Sequence, residues 1–143
     1  MPFKKLEPYQ AETAYVAAVQ AACLQQARDI LCSGRSLTGL EQAGVLHALQ
    51  VSVENAIGKA KHWLKALGHT VPVSAYDAFA ILAQLEILRN DELTAWNALI
   101  GLRNRIVHDY MNVDMSLVQD WVVQQREQFV LDFLLRPFAP PPA

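Results

Sequence analysis

Residues 9–71 and 73–136 contain no proline. A helix interior excludes proline, because the ring removes a backbone donor and clashes with the preceding turn. Two proline-free stretches of this length therefore leave room for a pair of helices each. Within the first, Leu46, Leu49, Val53, Ile57, Ala60, Leu64 and Leu67 recur in steps of three and four. That spacing is the apolar stripe of a helix packed lengthwise along its neighbours. No alternating strand pattern and no internal repeat interrupts the chain. The expected fold is an all-α antiparallel helical bundle with four long helices and one short one.

Local signals divide the bundle. The first helix is expected from about Ala11 to Ser33, with Val16, Val19, Cys23, Ala27 and Ile30 inward. Thr38 and Glu41 form the T-x-x-E capping box of the second, which Gly68 ends and Pro72 keeps from resuming. Ser74 and Asp77 open a short third helix through Phe79, Leu82 and Leu85 to about Leu88, and Asn90 or Asp91 caps the fourth. Asp114 caps a fifth, whose inner face is Met115, Val118, Val122 and Phe129. Residues 1–136 read as one helical domain. The proline-rich tail, residues 137–143, reads as an extended end with no packing role.

Composition narrows the function classes. Hydrophobic residues make up 52% of the 143-residue chain and charged residues 18%. This leaves apolar surface to be covered by a partner or a second copy. A formal net charge of −2 rules out a general basic coat for nucleic acid, so contact with it would need a local site. Cys23 and Cys32 lie nine residues apart on one helix and project to opposite sides, which argues against a disulfide between them. No apolar run follows the lysines of MPFKKLEPYQ, and none approaches the roughly 18 residues of a membrane span. The expected setting is cytoplasmic, without a membrane.

One segment breaks the apolar pattern. On the fourth helix the row Leu93, Trp96, Ile100, Arg103, Val107, Tyr110 places an arginine where the register calls for an apolar side chain. Asn104 and His108 flank that row one turn apart. A buried guanidinium is costly without a partner, so this face must meet a carboxylate, water or an anion. An arginine in such a row can also simply reach solvent, and a histidine there can serve the helix dipole.

The stretch RNRIVHDY, residues 103–110, resembles the signature of the HEPN superfamily, an Arg and a His separated by four to six residues. Its form Arg-x4-His-x-Tyr resembles the HepT-like branch, toxins of toxin–antitoxin pairs. The likeness extends to LQVSVENAIGKAKHWLKALG on the second helix, SAYDAFAIL on the third and NVDMSLVQDWV before the last. It implies a metal-independent endoribonuclease, with Arg103 and His108 catalytic and Asn104 supporting. It also implies a homodimer whose two motifs line one cleft, an RNA substrate, and a cognate minimal nucleotidyltransferase antitoxin that attaches AMP to Tyr110. A non-catalytic HEPN module, binding nucleotide or serving a nucleotidyltransferase as accessory subunit, shares the same bundle.

The residue types suit this chemistry. A histidine exchanges protons near neutral pH, and an arginine offers a planar donor fork to phosphate. No Cys/His cluster or Glu-x-x-His pair suggests a catalytic metal, and no cofactor is expected. Glu54, the lone acid in its stretch, could pair with a cation of the site or sit at a polar helix edge. Lys59, Lys61 and Lys65 could guide RNA, but read first as a solvated face. His47, His62 and His69 lack ligand spacing, and Trp63, Trp96 and Trp121 read as core.

Overall fold

The computed structural model describes residues 3–143. Its six helices are α1 (Glu7–Cys32), α2 (Gly39–Ala66), α3 (Ala75–Gln84), α4 (Leu93–His108), α5 (Met115–Val123) and α6 (Gln128–Leu135), and the described residues contain no strand. The all-α bundle is therefore as expected. Helix α2 packs against α1, α3, α4 and α6 and is the central rod. Its start is the capping box, with Thr38 accepting from the Glu41 amide and Glu41 from the Thr38 amide. Its end is Gly68 at φ 81°, where the His69 amide closes back on the Leu64 carbonyl at 3.0 Å.

Two apolar clusters lie along α2. One surrounds Trp63, Phe79, Trp96 and Phe133, with Phe79 and Trp96 stacked at 4.3 Å. The other joins Leu46 and Leu49 to Leu24, Ile106, Val118 and Val122. Because α4 spans both, its buried side drifts from Trp96 and Ile100 to Leu102 and Ile106. Val107 and Tyr110 are exposed instead, and Tyr110 falls beyond the helix in a 3-10 turn, Tyr110–Asn112. The single six-residue row expected on α4 is thus replaced by two shorter ones. A similar rotation affects α1, which buries Thr13, Ala17, Leu24, Ala27 and Arg28 while Val19 faces outward. The third helix stops at Gln84 with Glu86 at φ 61°, and α4 opens through a 3-10 turn, Asn90–Glu92, without a side-chain cap.

The expected fifth helix is two helices. Asp114 caps α5 as anticipated, accepting from the Leu117 amide at 3.2 Å. The chain then breaks at Gln125, whose φ is 56°. Arg28 fills the break from α1. Its Nε donates to the Val122 carbonyl at 2.7 Å and its Nη2 to the buried carboxylate of Glu127. Burial raises the Glu127 pKa more than Arg28 lowers it. The Val122 carbonyl, which also accepts from the Gln125 amide at 3.1 Å, thus takes a second donor from a side chain 94 residues away.

The tail also departs from expectation, because it packs. Phe138 meets the Trp63 ring edge-on at 5.2 Å, and Trp63 Nε1 donates to the Ala139 carbonyl at 2.9 Å. Lys59, expected on a solvated face, is fully buried beneath it. Its Nζ donates to the carbonyls of Phe133 at 2.8 Å, Leu134 at 3.3 Å and Arg136. It also lies within 5.8 Å of the ring centres of Trp63, Phe133 and Phe138. The end of α6 is therefore capped by a lysine from α2.

Burial, followed by the nearby charge of Arg136, pulls the Lys59 pKa from 10.5 to about 7. Between those values the unfolded chain binds more protons than the folded one, so this group makes stability rise with pH across the window. Urea unfolding at about pH 7 and about pH 9.5 is expected to show a larger gain for wild type than for Lys59→Met. Equal gains would mean that the three carbonyls keep the ammonium charged.

Candidate active site

Arg103 sits on α4 where it faces α2, between the two apolar clusters. Its Nε donates to Glu54 Oε1 at 3.3 Å and its Nη1 to Asn104 Oδ1 at 3.0 Å. Gln50, one turn before Glu54, donates to the same carboxylate oxygen at 3.0 Å. Glu54 is thus the carboxylate partner that Arg103 requires. The pair is half-buried, with side chains 29% and 39% exposed. A guanidinium carries five N–H donors. The bonds to Glu54 and Asn104 orient it and leave the outer edge for an anion.

His108 ends α4 and is exposed. The interval of five residues turns it about 140° around the axis from Arg103. One protomer therefore presents a braced cation and a solvent-facing histidine on different sides of one helix end. Tyr110 follows in its own turn and is 49% exposed. It borders a cavity of about 210 Å³ lined also by Gly39, Gln42, Leu46 and Met111. The neighbouring apolar residues Val107 and Met111 are exposed as well. Arg103 and Asn104 are thus brought together by a hydrogen bond, His108 lies one turn beyond Asn104, and Tyr110 stands apart from Arg103 beyond the end of the helix.

In the sequence Glu54 is only a lone acid near the middle of an apolar helix, and its pairing depends on how α4 crosses α2. Of the remaining histidines, His62 stacks on Tyr9 at 4.2 Å. Cys23 and Cys32 are both free thiols. Among the described residues, no group of three or more His, Cys, Asp or Glu side chains could hold a metal ion. No helix among them is long and apolar enough to cross a membrane.

Residues 22–134 match the family model described as Ribonuclease HepT-like. The chain belongs to the HepT-like ribonuclease family. The matched region includes all of α2 to α5 and with them Glu54, Arg103, Asn104, His108 and Tyr110.

Among curated proteins, this HepT-like chain is 31% identical over 88 residues to the mRNA nuclease HepT of Shewanella oneidensis. That match covers 62% of the chain and 66% of the relative, just under two thirds of its length. A protein of Archaeoglobus fulgidus is 31% identical over 102 residues, covering 71% of the chain and 76% of the relative. Two solved structures share the fold. One is a toxin–antitoxin structure with AMP-PNP, with a TM-score of 0.73 at 22% identity, covering 87% of this chain and 96% of that one. The other is a tri-AMPylated Shewanella oneidensis HEPN toxin in complex with MNT antitoxin, with a TM-score of 0.69 at 24% identity, covering 85% and 95%.

Since the Arg103–Glu54 pair is half open to solvent, it contributes at most about 1 kcal/mol to stability. Arg103→Ala is expected to keep the unfolding midpoint close to wild type, as checked by urea titration. A loss of several kcal/mol would make Arg103 a structural residue.

Proposed function

We propose that the chain is a metal-independent endoribonuclease toxin of the HEPN type, held in check by AMP transfer to Tyr110 from a cognate minimal nucleotidyltransferase. The observation that carries this reading is Arg103. In a chain of the HepT-like ribonuclease family, its guanidinium is braced by Glu54 and Asn104 with its outer edge free, five residues before an exposed histidine.

RNA carries its own nucleophile. His108 takes the proton from a 2′-hydroxyl, the 2′ oxygen bonds to phosphorus, and the bond from phosphorus to the 5′ oxygen breaks. The products are a 2′,3′-cyclic phosphate and a 5′-hydroxyl end. The leaving oxygen needs a proton, and one protomer offers one motif histidine. A homodimer that sets both motifs along one cleft supplies the second, from His108 of the partner subunit. Arg103 stays charged throughout and donates to the phosphorane oxygens as their charge grows. The exposed Val107, Tyr110 and Met111 and the lack of a hydrophilic surplus support such an assembly. RNA in the cytoplasm is the substrate this reading assigns.

Tyr110 is accessible to a modifying enzyme. Its hydroxyl oxygen would bond to the α-phosphorus of ATP, pyrophosphate would leave, and the phenolic proton would pass to solvent. The product carries a phosphodiester charge and a nucleoside two residues beyond His108, opposing an incoming RNA by charge and bulk.

Purified protein is expected to cut RNA in the presence of EDTA. Arg103→Ala and His108→Ala should each lower the rate at least about 100-fold and relieve growth arrest. Intact RNA with wild type, or unchanged rates in both variants, would end the ribonuclease reading. Co-expression with the nucleotidyltransferase should add AMP masses to wild type and not to Tyr110→Phe. Additions that persist in the variant would remove Tyr110 as the acceptor.

A further inference from the structure

A second face of α4 is built differently from its core side. Asn97, Gly101, Asn104 and His108 follow one another in steps of four, three and four, so at about 100° per residue they share one narrow face. Asn97 and His108 are exposed, and Gly101 and Asn104 are partly so. A glycine inside a helix of 16 residues is unfavourable relative to alanine. The packing of the protein does not demand it. A Cβ built on Gly101 would meet only the hydroxyl of Tyr76, at 3.6 Å, an ordinary contact. Gly101 instead leaves a strip of bare backbone beside the hydroxyl end of the Tyr76 ring.

That ring stands at the start of α3 and is 40% exposed, although it reaches across to α4. Beside it, the loop entering α3 is tied to α2 by Lys61, whose Nζ donates to the Val73 carbonyl at 2.9 Å. Tyr76 is therefore carried on an anchored segment. Seven residues separate Gly101 from His108, a rise of about 10 Å along the axis. This is the reach of a neighbouring nucleotide. Proteins that grip single-stranded RNA use aromatic faces, on which unstacked bases lie.

We propose that Tyr76 is a substrate-binding residue: a base next to the scissile phosphate stacks on its ring, over the bare backbone of Gly101. The inference rests on the ribonuclease reading and adds a base subsite to it. The polar row from Asn97 to His108 then forms the floor along which the strand runs. Asn97 and Asn104 offer amide donors and acceptors to its phosphates and base edges.

The test uses the full chain and the shortest oligoribonucleotide that wild type cuts. Tyr76→Ala is expected to raise KM about five- to a hundred-fold, the range of one base–aromatic stack, with kcat within about twofold. Tyr76→Phe keeps the ring and should keep KM within about twofold. Gly101→Leu fills the strip beside the Tyr76 hydroxyl, and should raise KM as Tyr76→Ala does. A 2-aminopurine placed beside a 2′-O-methylated cleavage site should be quenched by wild type and by Tyr76→Phe, and not by Tyr76→Ala. If wild type cuts no RNA, the ribonuclease reading falls and the subsite with it. If wild type cuts, and Tyr76→Ala and Gly101→Leu both leave KM within twofold, the subsite alone falls. A Tyr76→Phe defect as large as that of Tyr76→Ala would likewise overturn stacking in favour of the hydroxyl.

Discussion

Helix α2 must be covered along nearly its whole length, because Val45, Leu49, Val53, Ala56, Ala60, Trp63 and Leu64 are all buried on it. Burial of such side chains contributes roughly 1.5–3 kcal/mol for each large aliphatic one. Four other helices meet this requirement by packing on it. The site inherits its geometry from that arrangement. Glu54 lies on α2, where Gln50 donates to its carboxylate, and Arg103 reaches that carboxylate because α4 crosses α2 at the junction between the two apolar clusters. A rod that is rigid for the sake of the core thereby fixes the direction of the Arg103 guanidinium.

Much of this was legible in the amino-acid sequence. The stripe from Leu46 to Leu67, the capping box at Thr38, the stop at Gly68 and the Asp114 cap are local signals, and local physics decided them. Errors arose where a distant residue decided the outcome. The break between α5 and α6 is bridged by Arg28 and buried Glu127, a pair separated by 99 positions. The burial of Lys59 depends on carbonyls 74 to 77 residues away. Helical periodicity reports which residues share a face, but not what that face will meet.

The site region shows the same division. Its residue types and spacing could be read directly, and they led to the family. The idea that Arg103 and Tyr110 continue one apolar row did not survive. The row turns inward at Leu102 and Ile106, leaving Arg103 at the seam and Tyr110 outside the helix. A guanidinium in a true core slot would be closed off from any anion, whereas one at a seam is held from behind and open in front.

The packed tail bears on how such a chain is made. Synthesis runs from the N-terminus, so α2 is complete long before Phe133–Ala139 exist. Until then the amine of Lys59 and the indole N–H of Trp63 have only water as partners, and their surroundings must stay wet. Tight closure of this end of the core therefore waits until residues 133–139 have been made. The nascent chain would pass through synthesis with its central rod formed but its interior unsealed.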